Sequence, residues 1–97
     1  MPSQTVKLVN PTGLHARPAK VFAEAAAKTG LTVKVTKGDN TVNARSVLSV
    51  LTLDCHHGDE ITISVDGEDE AAATAALAQL VELVETGIGE HLAGGAT

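Results

Sequence analysis

The sequence predicts an α/β (α+β) two-layer open-faced sandwich, with helices covering one face of a four-stranded antiparallel sheet. Three observations predict it. Short segments alternate apolar and polar residues with period two. Two longer segments repeat apolar residues at helical spacing. The two patterns follow one another in the order β-α-β-β-α-β-α. Strands with one wet face and helices with one apolar stripe bury their apolar surface by stacking as two layers.

Val6 and Leu8 flank Lys7 and predict a first short strand. Ala19, Phe22, Ala23 and Ala26 then recur at helical spacing, with Lys20, Glu24 and Lys28 on other faces and Gly30 as the stop. Leu31, Val33 and Val35 alternate with Thr32, Lys34 and Thr36 as a second strand. Lys37-Gly38-Asp39-Asn40 is turn chemistry, and Thr41-Val42-Asn43 closes a hairpin. Ser46 to Leu53 fits strand or helix by its apolar residues, and the leading serine favours a capped short helix. Asp54 to Glu60 reads as a polar loop. Ile61, Ile63 and Val65 form the fourth strand. Asp66-Gly67-Glu68-Asp69-Glu70 turns into a helix whose acidic start suits the helix dipole and whose stripe is Leu77, Leu80, Val81 and Val84.

Ninety-seven residues support one domain, residues 1–97, with 87–97 as a glycine-rich C-terminal extension that Ile88 and Leu92 could turn into more helix. A formal charge of −5 and a single aromatic residue, Phe22, argue against a nucleic-acid binder, which needs clustered cations and stacking rings. The lone Cys55 excludes an intramolecular disulfide and fits a reducing compartment. The N-terminus has no signal-peptide pattern and no segment is long enough to span a membrane, so a cytoplasmic protein is expected. No large apolar stripe is left unassigned, so a monomer is expected.

The candidate chemistry lies in Gly13-Leu14-His15-Ala16-Arg17-Pro18-Ala19, at the start of the first helix. Unpaired backbone N–H groups and the positive end of the dipole meet there and favour an anion. Neutral imidazole is a good nucleophile, and its ordinary pKa of about 6.5 leaves most of it neutral at pH 7. His15 is thus a candidate phosphoryl acceptor. The backbone of Ala16 and Arg17 and the Arg17 guanidinium are candidate ligands for the transferred oxygens. Pro18 fits the first helical turn, where its missing N–H breaks no bond. A solvated surface histidine and arginine fit the same spacing.

The wider pattern resembles a known family. Asn10-Pro11-Thr12-Gly13-Leu14-His15-Ala16-Arg17-Pro18-Ala19 is similar to the active-site segment of HPr, the histidine-containing phosphocarrier of the bacterial phosphoenolpyruvate-dependent sugar phosphotransferase system. Val42-Asn43-Ala44-Arg45-Ser46-Val47-Leu48 resembles the family's regulatory-serine motif. Gly58-Asp59-Glu60-Ile61-Thr62-Ile63 and Asp66-Gly67-Glu68-Asp69-Glu70 match family positions in the same order, so the resemblance runs from about Val6 to Val84.

The resemblance implies a carrier, not an enzyme, with no cofactor. His15 would take a phosphoryl group on Nδ1 from phospho-Enzyme I and pass it to Enzyme IIA domains. Arg17 would assist the transfer, and an HPr kinase/phosphorylase could act on Ser46. Lys20, Val47, Leu48 and Leu51 would dock partners, with Lys28 and Arg45 as further candidates for a basic rim. Leu48 and Leu51 stand where the family often has methionine or phenylalanine. Two other readings stay open: an HPr-like regulatory interaction module, and a phosphocarrier for a nitrogen-control branch. The family's usual glycine near position 54 is replaced by Asp54, and the chain runs past the family's usual C-terminus.

Asp54-Cys55-His56-His57-Gly58-Asp59 contains metal-ligand residue types. Neighbouring histidines diverge, however, and no spaced second pair follows, so no metal site is expected. Adjacent Cys55 and His56 also lack the geometry of a nucleophile and its base. His91 falls in the extension.

Overall fold

The computed structural model describes residues 2–8, 16–56 and 58–86. Among them the elements run β1 (Ser3–Lys7), α1 (Ala16–Lys28), β2 (Thr32–Lys37), β3 (Asn40–Asn43), α2 (Val47–Leu51), β4 (Glu60–Asp66) and α3 (Glu70–Glu85). This is the order the sequence predicts. The strands form one antiparallel sheet in the order β1-β4-β2-β3.

The period-two pattern sorts the two faces. Val6, Val33, Val35, Ile61, Ile63 and Val65 all point inward and are buried. They meet Phe22 of α1, Val50 of α2 and Leu77, Leu80, Val81 and Val84 of α3 in one core. Helix α3 lies across β1 and β4, while α2 bridges α1 and β3. The opposite face carries a row of threonines, one from each strand: Thr5 pairs with Thr62, Thr62 with Thr36, and Thr36 with Thr41. The hydroxyls of Thr5 and Thr62 lie 2.9 Å apart, and those of Thr36 and Thr41 lie 2.8 Å apart. Hydrogen-bonded hydroxyls suit a sheet face turned to water.

Some boundaries differ from the sequence reading. Strand β1 starts at Ser3, because its exposed first residues hide the alternation. Leu31 precedes β2 instead of opening it, and its side chain packs over Gly67. Lys37 and Asn40 belong to the strands, leaving Gly38 and Asp39 as a two-residue turn. Gly38 sits at φ +61° there, as the first central residue of a tight hairpin turn requires. Cys55 is fully buried, so the predicted polar loop sends one side chain into the core. Among the described residues, no helix is long and apolar enough to cross a membrane. The 87–97 extension lies outside them.

Candidate phosphoryl-transfer site

His15 lies outside the described residues, as do Gly13 and the rest of 9–15. Its chain neighbour Ala16 is the first residue of α1, so the sequence joins His15 directly to that helix start. The helix forms there because Ala19, Phe22, Ala23 and Ala26 present one apolar stripe, all buried. Pro18 is also buried, within the first turn, where no intrahelical acceptor awaits its missing N–H.

Arg17 is exposed in that first turn, and the turn contains no acidic residue. The positive end of the dipole and the guanidinium are therefore not offset by a local carboxylate. Lys20, one turn on, is exposed as well. Lys28 ends α1, about 16 Å from Arg17 along the axis by helical rise.

Ser46 caps α2, as its sequence position predicts. Its backbone is extended (φ −104°, ψ 114°), and its Oγ accepts a hydrogen bond from the Ser49 N–H at 3.3 Å. The preceding turn is held by the Asn43 side chain, whose Oδ1 accepts from the Arg45 N–H at 2.9 Å. The predicted docking residues separate by burial. Leu48 is 77% exposed, the one exposed large hydrophobic among the described residues. Val47 and Leu51 are half-buried and pack on the core, and α2 itself lies against α1.

The 54–59 loop is built differently. Asp54 has φ +52°, a left-handed conformation uncommon for a non-glycine residue. Burial pushes the Cys55 thiol up to about 11, so it stays protonated at neutral pH and is no nucleophile. The Asp59 carboxylate accepts from the His56 N–H at 2.8 Å and pairs with Lys37 Nζ at 3.0 Å. The amide, then the lysine, hold that carboxyl below its usual range, and Asp59 in turn raises Lys37. His56 lies between two carboxylates, with Nε2 3.3 Å from Asp54 and Nδ1 3.8 Å from Asp59. Among the described residues, no three His, Cys, Asp or Glu side chains gather as a metal site. His57 and His91 lie outside them. Sequence reasoning missed the Lys37–Asp59 contact, because the two residues are far apart in the chain and no periodicity links them.

Comparison with known proteins decides the family. A family model described as "PTS HPr component phosphorylation site" matches residues 2–83. The chain belongs to the HPr family of phosphotransferase-system phosphocarriers. It is 47% identical over 79 residues to the phosphocarrier protein HPr of Streptomyces coelicolor, covering 80% of this chain and 82% of the relative. The HPr of Haemophilus influenzae is 36% identical, covering 88% of this chain and all of the relative. Among solved structures, HPr-C-His from Thermoanaerobacter tengcongensis has a TM-score of 0.82 at 38% identity and covers 95% of this chain and all of its own. An HPr from Bacillus anthracis has a TM-score of 0.78 at 32% identity, covering 86% of this chain and 95% of its own.

Proposed function

We propose that this phosphocarrier receives its phosphoryl group on His15 from phospho-Enzyme I and delivers it to Enzyme IIA domains. The observation that carries the reading is the α1 start: Arg17 is exposed in the turn that directly follows His15, and no acid shares that turn. Neutral Nδ1 attacks the donor's phosphorus. A P–N bond forms, the bond from phosphorus to the donor breaks, and the electron pair leaves with the donor. The product carries a dianion, which α1's dipole stabilises by about 0.3–1 kcal/mol at an exposed site. Arg17 adds charge-assisted hydrogen bonds. Modest stabilisation suits a relay, because a group held too firmly would not be passed on.

Leu48 and its half-buried neighbours Val47 and Leu51 form the apolar part of the docking surface, with Arg17 and Lys20 as its basic part. Partners of opposite charge would be steered there. Ser46 is a regulatory position. A phosphate on its oxygen would add negative charge beside the docking leucine.

Incubation with phosphoenolpyruvate and Enzyme I labels the wild type with an acid-labile phosphate and leaves His15→Ala unlabelled. Equal labelling of the variant would remove His15 from the mechanism. Ser46→Asp keeps a capping oxygen and adds a charge. It weakens Enzyme I binding in a titration, whereas unaltered affinity would leave Ser46 only its cap role.

A further inference from the structure

We propose that the C-terminal segment docks on the end of α3: Ile88 seats against Leu83 in a surface groove and locks the last turn of the helix. The groove plays no part in the proposed phosphoryl transfer.

The last turn of α3 is built to stop and to reverse. Thr86, its C-cap, has φ −97° and ψ 6°, between the helical and extended ranges. Its N–H still donates to the Glu82 carbonyl at 2.9 Å. Its hydroxyl donates to the Leu83 carbonyl at 3.1 Å. The residue that follows is Gly87. Glycine most readily takes the left-handed conformation by which a chain turns back after a helix. In such turns an apolar side chain two places past the cap packs on the residue three places before it. Counted from Thr86, those two residues are Ile88 and Leu83.

The described half of that contact is suited to receive the other. Leu83 is half-buried: it packs on the core and keeps part of its side chain at the surface. It borders a groove of about 260 Å³ lined by Gln79, Glu82, Leu83 and Thr86. These four stand at i, i+3, i+4 and i+7, on one face of α3. Leu83 is the large apolar member, so an aliphatic side chain is the occupant that gains by leaving water there. Ile88 is tethered two residues from Thr86, itself a wall of the groove. Its effective concentration there is about millimolar or higher, which a free partner would have to exceed. The family match ends at residue 83, so Ile88 lies in the part of this chain beyond it. Helix α3 covers β1 and β4, and helix ends are where local opening starts, so a lock there protects the layer over the sheet.

The test uses the full chain. Methyl NOEs are recorded on the wild type, and urea unfolding is compared among wild type, Ile88→Ala, Leu83→Ala and the double variant. We expect NOEs between the Ile88 and Leu83 methyl groups that persist on dilution. Ile88→Ala lowers the folding equilibrium constant by about fivefold in the wild-type background and by less than about twofold in the Leu83→Ala background. Missing NOEs, wild-type stability of Ile88→Ala, or an equal loss in both backgrounds would overturn the proposal. So would NOEs that fade on dilution, because the groove would then hold the isoleucine of a second copy. If Leu83→Ala does not fold, the wild-type NOEs and the stability of Ile88→Ala decide.

Discussion

The starts of α1 and α3 face the same physical problem and solve it in opposite ways. Every helix begins with N–H groups that lack intrahelical partners and with the positive end of a dipole. At α3 the chain supplies its own anion: the Asp69 carboxylate accepts from the Ala71 and Ala72 N–H groups at 3.0 and 3.3 Å, and Glu70 adds a second acid in the first turn. At α1 the first turn holds no acid and an exposed arginine instead. The α3 start is satisfied permanently and serves stability. Under the proposed function, the α1 start serves a charge that arrives and departs. The same backbone physics yields a cap at α3 and, in the proposed function, a transfer site at α1, according to which side chains stand in the first turn.

The largest expected effect comes from making α1 resemble α3. Arg17→Glu places a carboxylate in the turn proposed to stabilise the phosphate. Transfer from phospho-Enzyme I should fall by more than the roughly tenfold to hundredfold loss expected for Arg17→Ala, which removes a charge-assisted hydrogen bond worth about 1.5–3 kcal/mol. The urea midpoint of both variants stays near wild type, because Arg17 is exposed. Unchanged stopped-flow transfer rates would erase the distinction between the two helix starts.

Asp69→Ala makes the reciprocal change. It costs about 1 kcal/mol of stability in urea denaturation and leaves transfer kinetics alone. A transfer defect without loss of stability would mean that α3 is not a purely structural counterpart. The smallest effect concerns acid. Asp59's folded carboxyl lies below its ordinary 3.8, so the unfolded chain takes up the proton first as pH falls. Its stabilising contribution is present above that value and fades beneath it. Asp59→Asn therefore flattens the acid limb of stability against pH measured by circular dichroism, and a limb as steep as wild type would contradict the pairing.

Legibility in the sequence followed the range of the interactions. The strands of Val33 and Val35 and of Ile61, Ile63 and Val65 declare themselves by period two, because one face of each is buried. Ser46 is readable as a cap because its partner lies within three residues, whereas the acidic run at the α3 start is readable only as a charge preference and the fold singles out Asp69 as the cap. Strand β1 is half hidden, since Ser3, Gln4 and Thr5 are all exposed and only Val6 marks the inner face. Cys55 gives no pattern at all, being one core side chain among charged neighbours. The Lys37–Asp59 pair depends on tertiary folding and has no local trace. Arg17 and Leu48 could be nominated by motif, but only their exposure in the fold separates them from half-buried Val47 and Leu51.

The most direct measurement of the central claim is NMR of the phosphorylated chain, prepared with phosphoenolpyruvate and Enzyme I. The account predicts phosphorus on Nδ1 of His15, with the largest amide shifts at Ala16 and Arg17. Phosphorus on His56, His57 or His91, or on His15 with those amides unmoved, would contradict it.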